Sequence, residues 1–513
     1  RDTMLDTDRK SKKINSSYNI GGIEQFEKDV VIECNNRKAD RNILNRKCEF
    51  KTAEEEIKDR YEVAVETLKV YKRYLPGIIK DLSEIKDPRN PNKIEHKMSL
   101  LMLYGIFTFV FNMSSRRDSN SEMTMVFMEN MRSFFPELED LPHSCTLARL
   151  LVKIEVEKIE DAAVNLVNRL IRDKKFVNYL VNKKYIIAID GVHKFTREWE
   201  WCENSLRKHK KGQPEGVNQY YANALEASLI LPGGLTIPFM TEFMDRKEYQ
   251  DEGTDTEKKK QDSELKAFKR LAFRLKEHFP RLRIAVTLDG LYANGPLMEL
   301  CQNYGWDYMI VLKDGSLKTV WEDIESLKDK GMVEKYSGAE INNVKQEFWW
   351  INNIEYRYGD NGCKDIKVNV VVCMETTKEI SRETGEELET TKKFAWISFK
   401  EITDRNVEKR CNYMGRPRWN LETQNLIEKH HGYAYEHCFS YNWNAMKGYH
   451  YLMHLGHIIN TLTLYSSEMI GRVKKKGVRR TIKLILLVFK GYVLDVEWIK
   501  DKTDVKYQLR LAV

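Results

Sequence analysis

Two acidic residues far apart in the chain stand in the same setting. Tyr185-Ile186-Ile187-Ala188-Ile189 is a short β-branched run that ends in Asp190-Gly191, and Ile284-Ala285-Val286-Thr287-Leu288 ends in Asp289-Gly290. Apolar runs of this length without alternation predict strands buried on both faces. Carboxylates just past such strands would lie at the carboxyl edge of an open sheet, where sheets of this kind carry their sites. An Asp after a strand is also a common turn or capping residue, so the pair alone assigns no chemistry. A third acid strengthens the case. Glu422 falls in a helix predicted from Trp419 to Lys429, with Arg418 four residues before it and Lys429 seven after. At 3.6 residues per turn these three share one helix face. A carboxylate flanked by two cations suits a site that holds metal while gripping a phosphate backbone.

The elements that must position these acids can be read around them. Ala222 to Leu231 and Leu235 to Phe243 are strand-like and separated by the turn Pro232-Gly233-Gly234. Ser263 to Phe279 has helical spacing and stops at Pro280; a helix from Pro296 and a strand at Tyr308 to Leu312 follow the second Asp. Strand, hairpin, helix, strand, helix, strand is the order of an α/β fold with a ribonuclease-H-like mixed sheet, in which the first and fourth strands are parallel neighbours. Asp190 and Asp289 would then meet. From about 330 to 405 the pattern is β-like (Phe348-Trp349-Trp350-Ile351, Val368 to Cys373, Phe394 to Phe399), with a polar turn at Gly385-Glu386-Glu387. Helices return at Tyr449 to Tyr465 and Thr481 to Phe489. The expected division is a polar arm with helices (1–80), a helical N-terminal domain (81–180), the α/β unit in two pieces (181–328 and 406–465), a β-strand insertion (329–405) and a basic helical C-terminal region (466–513).

Composition bounds the function classes. A chain of 513 residues exceeds the ~250–300 residues at which one core stops growing. Net charge is only +8, so local clusters matter more than the whole: Arg207-Lys208-His209-Lys210-Lys211, and Lys474-Lys475-Lys476 with Arg472, Arg479 and Arg480, could neutralise phosphates or simply be solvated surface. The nine cysteines include no CxxC pair, which argues against a disulfide framework and a zinc ribbon and for a reducing compartment. The most apolar stretch, Met98 to Met113, is shorter than the ~20 residues of a bilayer span and reads as a buried helix. The chain opens at Arg1 with polar sequence and no visible secretory signal.

In order and spacing these residues resemble the DDE transposases of bacterial insertion sequences, in the branch whose third motif is Y-x2-R-x3-E-x6-K. Arg418-x3-Glu422-x6-Lys429 fits it within RPRWNLETQNLIEKHHGYAYEH; the motif's Tyr falls on Gly415, with Tyr413 two residues earlier. Ile189-Asp190-Gly191 and Leu288-Asp289-Gly290-Leu291-Tyr292 resemble the two Asp motifs. Asp87-Pro88-Arg89, the apolar helix and Leu141-Pro142-His143-Ser144 resemble the helical domain that precedes such cores. The likeness covers roughly 80 to 460. It implies cut-and-paste DNA transposition: metal-dependent hydrolysis at transposon ends, then strand transfer into target DNA. It also implies two ions per site, Mg²⁺ or Mn²⁺, which oxygen ligands suit, with Asp190 bridging both ions, Asp289 and Glu422 each holding one, and Arg418 and Lys429 on flanking phosphates. The partners implied are double-stranded DNA and a second copy of the chain on paired ends, with no membrane and a cytoplasmic, nucleoid-associated location in a bacterium.

Other readings were open. His450, His454 and His457 have the helical spacing of zinc ligands, but their apolar neighbours favour a packed helix. Trp349 and Trp350 could stack on a flipped base or belong to a strand's core. Glu264, in Lys260-Gln261-Asp262-Ser263-Glu264, resembles a family segment and could support the site, although a helix cap is the simpler account. An Asp-nucleophile phosphatase would need a second Asp where Val192 stands. A domesticated endonuclease or a non-catalytic DNA-binding relic shares the same likeness, and the relic is disfavoured by three intact acids.

Overall fold

The structure is a computed structural model that describes residues 50–214, 216–246, 262–338, 340, 344–380 and 387–512. Most of the expected polar arm, and Gly385 and Glu386 of the expected turn, lie outside the described residues. The chain divides into two units, 1–59 and 60–513.

Helices come first: α1 (Ala53–Ser83), α2 (Met98–Val110), α3 (Arg116–Glu122), α4 (Met125–Arg132), α5 (Ser144–Leu151) and α6 (Glu157–Arg172). Their starts have local causes. The Ser115 and Thr124 hydroxyls accept from the backbone N–H groups of Asp118 and Phe127, and His143 Nδ1 accepts from Cys145 N, each satisfying an orphan donor of a first turn. Along α6, Ile159, Ala162, Ala163, Leu166, Val167 and Leu170 recur at helical spacing and are buried.

The sheet follows, as β1 (Tyr185–Arg197), β2 (Leu206–His209), β3 (Asn218–Leu231), β4 (Leu235–Phe243), helix α7 (Glu264–His278), β5 (Ile284–Leu288), α8 (Gly295–Asn303), β6 (Asp307–Val311), α9 (Lys318–Asp329), β7 (Glu334–Ser337), β8 (Val344–Tyr358), β9 (Lys364–Ile380) and β10 (Glu387–Ser398). The fold is mixed α/β with a largely helical N-terminal region. Its sheet runs β3-β1-β5-β6-β10-β9-β8-β7, with β2 and β4 both on the outer side of β3. β1, β5 and β6 are parallel; β3 is antiparallel to β1. The strands of the expected insertion extend this same sheet, because β10 pairs with β6 through Trp396↔Val311 to Ser398↔Met309.

The central strands are apolar on both faces for a visible reason. Ile187 and Ile189 enter one core while Ile186 and Ala188 enter another, on the opposite face, with Met309, Trp350, Val371 and Trp396. Each aliphatic side chain buried in this way contributes roughly 1.5–3 kcal/mol.

After the sheet come α10 (Val407–Arg410), a π turn at Cys411–Gly415, α11 (Arg418–His430), α12 (Trp443–Leu464), α13 (Ile470–Lys476), α14 (Val478–Gly491) and α15 (Val496–Thr503). Buried along nearly its whole length, α12 packs on α2, α5, α6 and β4, so the N-terminal helices and the sheet share one core. Among the described residues no helix is long and apolar enough to cross a membrane; the apolar stretch at 98–113 is the buried α2 and its cap.

Candidate active site

The two aspartates sit on neighbouring parallel strands at the same level. The ladder between β1 and β5 ends at Ile189↔Leu288, so Asp190 and Asp289 are the next residue of each strand. One expectation is corrected: β1 does not stop at Asp190 but runs to Arg197. Residues beyond Asp190 still pair with β3, and Asp190 itself lies opposite Glu226.

Glu422 reaches the pair through Arg418. Arg418 is 7% exposed; its Nη1 donates to Asp190 Oδ2 at 3.1 Å and its Nη2 to Glu422 Oε1 at 2.7 Å. α11 is held there by Leu421, Gln424 and Glu428 on its buried face. The motif's Tyr position has no room for a side chain: a Cβ on Gly415 would lie 2.8 Å from Trp396 Nε1, while Tyr413 is exposed. Lys429, at the far end of α11, faces Glu436 at 3.3 Å.

Both Asp-Gly pairs use the glycine for close approach. A Cβ on Gly191 would lie 2.6 Å from the Glu264 carboxyl carbon, and one on Gly290 would lie 2.9 Å from Lys313 Cγ. Glycine therefore lets a charged side chain lie against the backbone beside each aspartate. Lys313 Nζ donates to Asp289 Oδ2 at 2.8 Å, and Tyr292 donates to Glu264 Oε2 at 3.4 Å. Lys313 was not singled out in the sequence, although it stands two residues past β6, close to where Asp289 follows β5.

These surroundings split the two aspartates. Burial pushes the Asp190 carboxyl up to about 6 against the pull of Arg418, and the nearby Asp289 and Glu264 add to the rise. Burial alone would raise Asp289 too, but hydrogen bonds from Lys313 and the Gly290 N–H, with the charge of Arg418, hold it below its ordinary value. Beside Lys313 opens a cleft of about 290 Å³, walled by Phe394, Trp396, Trp419 and Lys393. A larger cavity, about 670 Å³, lies at the opposite edge of the sheet among Lys184, Lys367, Lys400 and Arg410, away from the acids.

Behind Asp190 lies a second polar cluster that sequence reasoning missed in its extent. His450, His454 and His457 are buried on α12 as expected of a packed helix, but Glu226 of β3, Glu428 of α11 and Lys194 of β1 meet them. The nitrogens of His450 and His454 and a Glu226 oxygen lie within 4.8 Å of one another. Charge accounts for the cluster. The carboxylates raise His454 against the effect of burial, and the two imidazoles pull Glu428 down despite its burial. Glu226 is raised by burial and by Glu428 beside it, and accepts from Tyr435 Oη at 2.6 Å. The His454 imidazole and the Glu428 carboxylate thus each favour the charged form of the other. Trp350 is buried, and Trp349 is half-buried under Lys328. In the basic runs, Lys210 pairs with Glu198, and Arg472 with Glu62 and Glu66.

The family described as DDE_Tnp_1-associated, a transposase-associated family, matches residues 79–167. That span runs from the end of α1 through most of α6 and includes the Asp87–Arg89 clasp, 2.6 Å between Oδ2 and Nη2, and the His143 cap. No relative among curated proteins matches the chain.

Proposed function

We propose that the protein is a DDE transposase that hydrolyses DNA at the ends of its element and transfers the freed strands into target DNA. The observation that carries this reading is the convergence of Asp190 and Asp289, from adjacent parallel strands, with Glu422, joined through Arg418. The strand order β4-β3-β1-β5-β6, with β3 antiparallel, supports a ribonuclease-H-like core, and the transposase-associated match supports the same class.

The donor set fits divalent cations. Asp190, Asp289 and Glu422 offer only carboxylate oxygens, the ligands that Mg²⁺ and Mn²⁺ favour. Asp190, Asp289 and Glu422 would together hold two such ions. Bound there, such ions would activate a water or a 3′-hydroxyl and stabilise the leaving oxygen.

The protein's own part is placement and charge. Arg418 orients Asp190 and Glu422 from a buried position. Lys313, beside Asp289, and Lys429 supply cations for flanking phosphates, and the cleft walled by Trp419, Phe394 and Lys393 suits a strand of nucleic acid, which pairs bases with a charged backbone. Two ends must be cut in concert, so a homodimer on paired ends completes the proposal. The test is incubation of the full chain with labelled DNA from the borders of its gene, with Mg²⁺ or with EDTA. Nicks that leave 3′-hydroxyls at the element's borders only with Mg²⁺ support the reading; DNA bound but left intact would point to a non-catalytic relic.

A further inference from the structure

Glu264 is the first residue of α7, and its carboxylate lies on the Cα of Gly191, next to Asp190. Sequence alone makes it a helix-capping acid. Its place in the structure adds a different neighbourhood. The hydrogen bond it accepts comes from Tyr292, a fully buried residue on the turn that directly follows Asp289. Glu264 is thereby held between Gly191 of β1 and the turn that follows Asp289.

Like charges gather here. Burial raises Glu264 above its ordinary value, Tyr292 opposes this, and Asp289 adds to the rise; Asp190 in turn feels both Asp289 and Glu264. Asp190, Asp289, Glu422 and Glu264 make four carboxylates, against the cations Arg418 and Lys313. Among the described residues, the cations paired with these acids are fewer than the acids. A packing role would not require a carboxylate in such company, since a buried anion among anions costs stability.

Resting on the function proposed above, we propose that Glu264 is a fourth carboxylate ligand for the site's divalent cation, delivered from α7 through the gap at Gly191. Its oxygens belong to the same hard-donor class as the other three, and two carboxylates per ion, with waters and phosphate oxygens, is the ligand set Mg²⁺ commonly takes. The glycine after Asp190 then has a function: any side chain there would push Glu264 off the site.

The test is calorimetric titration of the full chain with MnCl₂ at neutral pH, comparing wild type, Glu264→Gln and Asp289→Asn, with melting temperature in EDTA as the check on folding. Gln keeps the shape and an acceptor for Tyr292 while losing the charge. The expected result is Mn²⁺ affinity lower by about tenfold or more in Glu264→Gln, or one fewer ion bound, at an unchanged melting temperature. Unaltered affinity and stoichiometry in Glu264→Gln, with loss in Asp289→Asn, overturns this inference alone. Absence of Mn²⁺ binding in wild type, or binding untouched by Asp289→Asn, overturns the metal site itself. Should Glu264→Gln fail to fold, Glu264→Asp, which withdraws the charge by one methylene, is read the same way: weaker binding supports the assignment and unchanged binding overturns it.

Discussion

Arg418 holds Asp190 from inside the protein, Nη1 to Oδ2 at 3.1 Å, with only 7% of the arginine exposed. The same guanidinium reaches Glu422, so one cation fixes two of the three acids relative to each other. Arg418→Met, which keeps the apolar stem, leaves Asp190 facing Asp289 and Glu264 without its nearest countercharge. The expected cost is about 1–3 kcal/mol in urea denaturation, with loss of end cleavage. Arg418→Lys restores charge but not the two-pronged geometry, and should recover stability better than cleavage.

The glycine after Asp190 offers a sharper separation of fold from site. Gly191→Ala places a Cβ where the Glu264 carboxylate lies, and that flexible side chain can move aside. Stability should change by no more than about 1 kcal/mol, while cleavage falls by at least about tenfold. Thermal melting and a cleavage time course on the same preparation check both halves.

Much of this site was legible in the sequence because it depends on local signals. Two β-branched runs ending in Asp-Gly, and an Arg-Glu-Lys set at helical spacing, mark the three acids without any knowledge of contacts. What stayed hidden depends on distant partners. Residues 191–197 are too polar to read as strand, yet they pair with β3, and Lys194 among them is buried because it donates to Tyr435 O at 3.0 Å. The charge run at 207–211, read as phosphate contact or solvated surface, begins inside β2, whose ladder to β3 does not depend on its side chains. The α12 histidines gave a helical period but no hint of Glu226 or Glu428, which arrive from other elements.

That histidine cluster makes its own prediction. His454 Nε2 lies 3.8 Å from carboxylate oxygens of both Glu226 and Glu428, so His454→Leu leaves these two buried acids without it and should cost about 3–5 kcal/mol. Because the folded protein raises His454, its contribution is fully present below the imidazole's ordinary value of 6.5 and is lost as pH rises through the higher folded value. Wild type and His454→Leu should therefore differ most near pH 6 and converge in alkaline solution, as read by urea denaturation across that range.

At the amino edge of the sheet, Asp307 of β6 is clamped by Arg410, Nη2 to Oδ1 at 2.8 Å, and by Lys184. Burial would raise this carboxyl, but Arg410 and Lys184 outweigh it and hold it below its ordinary value. A depressed carboxyl stabilises above the unfolded value of about 3.8 and loses that contribution as pH falls through the lower folded one. Asp307→Asn should cost roughly 3–5 kcal/mol at neutral pH by leaving buried Arg410 without its anion, with a smaller difference from wild type below about pH 3. Denaturation at pH 7 and pH 3 distinguishes this from a simple packing defect.

The central claim is that three carboxylates on two strands and one helix form a single catalytic unit. Its most direct test is cleavage of labelled border DNA in Mg²⁺ by Asp190→Asn, Asp289→Asn and Glu422→Gln, each first shown by gel shift to bind that DNA as wild type does. The account predicts that each substitution alone reduces cleavage by at least about a thousandfold; cleavage at near wild-type rate in any one of the three would contradict it.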